Sequence, residues 1–261
     1  MRSMQAAFLV TCYALFGCVG TTGGDLLEVQ AYAAGPADAA PELSFQTSRG
    51  YEVTLTEARI FVGGLYLNRS RPTSVASDTS CTLAGIYVAE VLSGREVDLL
   101  SAEPQAFPDA GFATTERALT GEVWLSQGNV NEAASSTVVL RVSGTAKRGA
   151  QQYPFQGKLT IGQNRATPPS DAALPGQHPI CKQRIVSPIA LDLTAKAGDA
   201  LLLRIDPRGM FGNIDFATLA PVGDSYRFAD EPGVDQASDN LYAGLRRNSG
   251  VYLLSWMEDG K

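Results

Sequence analysis

Tyr51, Val53 and Leu55 are apolar and alternate with polar Glu52 and Thr54, the period-two mark of a half-buried strand. The phase then slips. Ala58, Ile60 and Val62 are apolar at even positions, so a bulge or bend is expected near Thr56 and Glu57. Residues 65–67 either continue that strand or start the next. Residues 82–92 read as a strand apolar in both phases, hence buried on both sides. Residues 101–116, with Pro104 and Pro108, read as an irregular loop, and residues 119–125 as a strand.

The clearest pattern spans residues 136–162. Val138, Leu140 and Val142 oppose Arg141, Ser143, Thr145 and Lys147. After a turn at residues 147–150, Tyr153, Phe155, Leu159 and Ile161 oppose Gln152, Gln156, Lys158 and Thr160. This predicts an antiparallel hairpin with one wet face, with Pro154 at an edge or strand start. A long Pro- and Ala-rich loop is expected at 163–184. A second hairpin is expected from residues 185–193 and 201–205, joined across 196–199. Ser238 is expected to cap a short helix through Arg247, with Leu241 and Leu245 inward. A last strand follows over 251–256.

Many short strands with turns every 8–12 residues and one late helix predict an all-β fold. The expected form is an antiparallel β-sandwich with one short C-terminal helix; a closed β-barrel is the alternative. No repeat at solenoid spacing is present.

The N-terminus departs from this pattern. Arg2 is the only charged residue before Asp25, and an apolar run covers residues 6–16. That run is too short to span a bilayer, which takes roughly 20 residues, and has the layout of an export signal. Leu15, Phe16, Gly17 and Cys18 close it and resemble a bacterial lipobox. The resemblance implies that residues 1–17 are removed, that Cys18 is lipidated, and that the protein is anchored to a membrane on the exported side of the cell envelope, at the outer membrane or the periplasmic face. Residues 18–41 then read as a lipidated tether with a possible first strand at 26–32, and residues 42–261 as a single β-sandwich domain.

The setting changes how the cysteines are read. Of four, Cys12 leaves with the signal and Cys18 carries lipid. Cys81 and Cys181 remain as an even pair in an oxidising compartment, and a disulfide between them is expected. His178, three residues before Cys181, offers a chelating spacing as the alternative, but it is the only His in the chain.

Charge narrows the partners. The net charge is −6, and −7 once Arg2 leaves with residues 1–17. Phosphate backbones require clustered Lys and Arg, so no nucleic acid is expected as a partner. Membrane attachment would rest on the lipid.

Candidate chemistry is sparse. No G-x-S-x-G, H-E-x-x-H, P-loop or dinucleotide signature occurs, and no catalytic residue stands out. The expected function is non-enzymatic: a lipid-anchored β-domain binding an envelope protein or ligand. A metal-binding domain and a carboxylate-based hydrolase are the alternatives. Asp206, Asn213 and Asp215 lie close in one turn and are the candidate calcium ligands, against a reading as turn-forming acidic residues. Met210 beside Phe211 is a candidate thioether ligand for copper, against core filling. Residues 51–67 faintly resemble strands of periplasmic copper-binding partner proteins, which would imply copper; one His and four Met argue against it. Tyr226, Phe228, Tyr242, Tyr252 and Trp256 are candidate groove residues or core. Asn68-Arg69-Ser70 matches a glycosylation sequon, read here as chance.

Overall fold

The computed structural model describes residues 25–70, 85–126, 137–161, 176, 185–247 and 250–257. Cys18, Cys81, Cys181, His178 and most of the 163–184 loop lie outside the described residues. The strands are β1 (Leu26–Ala34), β2 (Leu43–Gln46), β3 (Glu52–Asn68), β4 (Tyr87–Val91), β5 (Arg95–Asp98), β6 (Gln105–Ala106), β7 (Gly111–Thr114) and β8 (Arg117–Leu125). Then come β9 (Thr137–Arg148), β10 (Gln151–Ile161), β11 (Ile185–Thr194), β12 (Ala200–Ile205), β13 (Ala220–Val222), β14 (Ser225–Arg227) and β15 (Tyr252–Met257). Helix α1 (Arg208–Phe211) is one turn, and α2 (Gln236–Leu245) is the short helix near the C-terminus. The sheet does not close into a barrel, and the arrangement is that of a β-sandwich. Among the described residues no helix is long and apolar enough to cross a membrane.

β3 is the spine. It pairs with β2, β5 and β4 and with β9 and then β8. It does so by changing face twice. The register shifts between Leu55 and Glu57, where the apolar phase slips in the sequence, and again between Val62 and Gly64. Val53, Leu55, Ala58, Ile60, Val62, Leu65 and Leu67 thereby all reach the core. At the second shift a Cβ on Gly63 would lie 2.1 Å from Ser126 Oγ, so only glycine fits there.

The β9–β10 hairpin forms as the alternation predicts, turning at Gly149 with φ +61°. Pro154 faces Thr145 of β9, and β14 pairs only at Phe155 and Gln156. The second expected hairpin does not form. β11 pairs antiparallel with β8, whereas β12 runs parallel to β1 and antiparallel to β15. β12 is buried at five of its six positions, and two strand neighbours meet that burial where a hairpin edge would not. The 101–116 segment is not wholly irregular, since it contributes β6 and β7 to β1.

Helix α2 begins before Ser238. Asp235 is the N-cap: its carboxylate accepts from Ser238 N and Ser238 Oγ, both at 2.8 Å. Ser238 Oγ in turn accepts from Ala229 N at 2.8 Å, so the hydroxyl ties helix to loop rather than capping. Leu241 and Leu245 point inward as expected. Residues 35–41 are less tether-like than their composition: Gly35 and Pro36 are buried, and Asp38 is clamped by Arg208 at 2.8 and 3.0 Å.

Candidate functional site

The sequence candidates for metal are dispersed into separate contacts. The Asp206 carboxylate accepts from Arg208 Nε and Nη2 at 2.8–3.0 Å. Asp215 accepts from Tyr51 Oη at 2.5 Å and Ala217 N at 3.2 Å, with Arg49 and Arg148 each at 3.8 Å. The Asn213 carbonyl accepts from Arg49 and Asn240. Two carboxylates facing arginines serve as counter-ions there. Among the described residues no group of three or more His, Cys, Asp or Glu comes together to hold a metal. Met210 is buried in the core with Phe211. Phe228 and Tyr252 are core, and Tyr226, Tyr242 and Trp256 pack against it, so these aromatics do not line a groove.

The Tyr51–Asp215 contact has a readable pH signature. Burial first, then the Asp215 hydrogen bond, pushes the Tyr51 phenol up to about 12. That hydrogen bond also holds Asp215 below its ordinary value. A raised phenol pKa gives stability that is complete below the unfolded value near 10 and is lost as pH rises toward 12. A lowered carboxylate gives stability present above its unfolded value and lost as pH falls through the folded one. Tyr51→Phe is therefore expected to melt closest to wild type at pH 11–12 and below pH 3, and well below it between pH 5 and 9. Melting curves across that range check this; a gap of constant size at every pH would refute it.

Sequence reasoning missed a buried polar cluster on the face of the sheet away from the aliphatic core. Glu90 of β4, Tyr66 of β3 and Glu122 of β8 lie in one cross-strand row. Tyr66 and Glu122 are 0% exposed and Glu90 is 6%. Glu122 accepts from Trp124 Nε1 at 2.8 Å and Tyr87 Oη at 3.2 Å, and Glu90 accepts from Gly176 N at 2.8 Å. The only signal was a lone Glu inside each apolar strand. Beside this cluster, Asn68 is fully buried, and its Oδ1 accepts from Ser70 N and Ile86 N at 2.9 and 3.1 Å. Its amide is thus part of the fold, which accords with reading the sequon as chance.

Among the described residues, a cleft opens at the first β3 bulge. A cleft of about 890 Å³ is lined by Thr56, Glu57, Ala58 and Arg59 of β3, Asp98 and Leu100–Glu103 after β5, Ser143 of β9, and Ala39 and Pro41 of the β1–β2 connection. The bulge turns the Glu57 side chain out beside Ser143, and Thr56 Oγ1 sits 3.3 Å from Ser143 Oγ. The walls carry hydroxyls and carboxylates over small apolar residues, groups suited to exchanging hydrogen bonds with a hydroxylated ligand.

No protein-family model and no curated protein matches the chain. Among solved structures it is similar to MbnP from Methylosinus trichosporium, at 11% identity and a TM-score of 0.35, covering 89% of this chain and 98% of that one. A likeness that small decides neither fold nor function.

Proposed function

We propose that this chain is a non-enzymatic lipoprotein of the cell envelope, held by lipid on Cys18, whose sandwich binds a ligand in the cleft at the Thr56–Glu57 bulge. The observation that carries the binding is the cleft itself. Its volume of about 890 Å³ is of the size that small-ligand sites have. A bulge beside it re-aims side chains as bulges do next to binding sites. The anchor rests on the lipobox-like residues 15–18. Several acyl chains on one Cys suffice for stable attachment, where a single chain does not. From Cys18 to the start of β1 at Leu26 the chain reaches at most about 28 Å, so the ligand is met near a membrane surface. Export also suits a Cys81–Cys181 disulfide.

The anchor is tested by labelling expressing cells with radioactive palmitate. Wild type is expected to carry label and to sediment with membranes. Cys18→Ala is expected to lose the label. Label retained by Cys18→Ala, or never incorporated by wild type, refutes the anchor.

A further inference from the structure

The charges that line the cleft do not balance. Glu57, Asp98 and Glu103 are set against one guanidinium, that of Arg59, a net of −2. Arg59 is itself occupied by two carboxylates, Glu96 at 3.6 Å, which is not part of the lining, and Asp98 at 3.9 Å. Among the described residues, no Lys or Arg stands within 4.0 Å of Glu57 or Glu103. These two come from different elements, Glu57 from the β3 bulge opposite Ser143 and Glu103 from the connection after β5. The three carboxylates do not converge as metal ligands would, since no such group of three occurs among the described residues. The wall after β5 is fixed by bonds of its own. The Ser101 carbonyl accepts from Gly35 N at 2.8 Å, and the Ala102 carbonyl from Arg204 Nη1 at 3.3 Å. Ala58 and Leu100 are buried lining residues. The carboxylates and the hydroxyls of Thr56, Ser101 and Ser143 therefore stand over a small apolar floor.

Resting on the reading of that cleft as a ligand site, we infer that its ligand is an extended organic dication, with two ammonium groups held apart by a hydroxylated or aliphatic spacer. A cleft lined mainly by one sign of charge concentrates counter-ions of the other. The net of −2 matches two positive charges. Separated carboxylates suit separated ammonium groups, where a compact divalent ion needs its oxygens in one place. An ammonium group has donors and no acceptor. Glu57 and Glu103, carboxylates without a cation, meet it in charge-assisted hydrogen bonds. Thr56, Ser101 and Ser143 exchange hydrogen bonds with a hydroxylated spacer such as that of an amino sugar. Ala58, Leu100 and Ala102 pack equally well against the methylenes of a diamine. The two sources share the paired charges, and those are what the cleft selects.

Calorimetry on the purified full chain at low salt and about pH 6, where glutamates are ionised, tests this. The probes are the glucosamine disaccharide with both amines free, putrescine, neutral cellobiose and calcium chloride. At least one of the two diamines is expected to bind saturably, to weaken as salt rises, and to bind at least tenfold more weakly to the double variant E57Q/E103Q. Binding by the amino disaccharide alone, or by putrescine alone, supports the inference and names the source. The double variant removes two side chains that make no ion pair, and its melting curve checks folding. Binding by neither diamine, or an unchanged affinity in the folded double variant, overturns the inference. Calcium binding that needs Glu57 and Glu103, without diamine binding, also overturns it, in favour of a compact cation. Ala102→Trp, which fills the cleft from its rim, separates the two readings. If cellobiose binds wild type as tightly as the amino disaccharide, fails with Ala102→Trp and ignores the double variant, the cleft reading stands and the dication falls. If a diamine needs Glu57 and Glu103 but ignores Ala102→Trp, the selection by charge stands without the cleft.

Discussion

Trp124→Ala is expected to destabilise the protein by about 4 kcal/mol, within the ~3–5 kcal/mol that removing a buried Trp or Phe costs through lost transfer energy and the cavity left behind. Trp124 is 0% exposed, and its ring centroid lies 4.7 Å from that of Tyr66. Two effects add. The cavity opens against Tyr66, itself packed edge-on to Tyr87 at 5.6 Å. Glu122 also loses the 2.8 Å bond from Trp124 Nε1 in a place water does not reach. A buried acceptor deprived of its donor carries its own desolvation cost. At 2–4 °C per kcal/mol for a domain of this size, the melting temperature should fall by roughly 8–16 °C. Trp124→Phe separates the effects, since it keeps ring volume and removes only the donor. It should cost about 1–3 kcal/mol, the range for leaving a buried acceptor unsatisfied. Urea denaturation of both variants gives the comparison. A Trp124→Ala loss under 1 kcal/mol would mean that the cluster is not part of the folding core.

That cluster marks where the sequence stopped being informative. Local alternation was legible. The phase slip at Thr56–Glu57 located a bulge that exists, and the wet face of residues 136–162 placed Arg141 and Lys158 outward together, as they are. These are short-range consequences of side chains alternating between two faces. What was not legible depends on which strands meet. β12 and β11 have the pattern of a hairpin, yet burial on both faces sends β12 to β1 and β15. The β3 switch at Gly63 carries no apolar signal, because a glycine shows only that something must come close. Glu90 lies in a strand read as buried on both sides and Glu122 in a short apolar strand, but nothing local says that the two meet beside Tyr66. Arg59 comes opposite Arg141 only because the bulge at Thr56–Glu57, just before it, turns its face to that of Arg141. The candidate site is therefore made of residues whose local patterns were read, brought together by pairings that were not. The C-terminal acidic residues show the converse. Asp206 and Asp215 suggested a cation because they are near in sequence, but their closest charged neighbours are Arg208, Arg49 and Arg148.

The β3–β9 ladder forms one wall of the cleft, so Gly144→Val should remove stability and distort that wall together. Gly144 sits opposite Leu55 on one side and Phe155 on the other, beside the first β3 bulge. A Cβ there would lie 2.2 Å from the Thr54 carbonyl oxygen and 3.0 Å from Leu55 Cα. Those atoms are backbone, and no rotamer change relieves the clash. Thr54 and Leu55 lead directly into the bulge, where the chain bends, and glycine opposite them leaves the room. Valine must push the strands apart in the middle of the ladder. The cost should reach or exceed the ~1–3 kcal/mol of ordinary overpacking. Gly149 is the control. It has nothing within 4 Å of its added Cβ, and alanine there pays only for φ +61°, about 1–2 kcal/mol. Gly149→Ala should thus keep the cleft and the Arg59–Arg141 register. Gly144→Val should melt well below it. Equal melting of the two variants would show that β3 does not bend into Gly144.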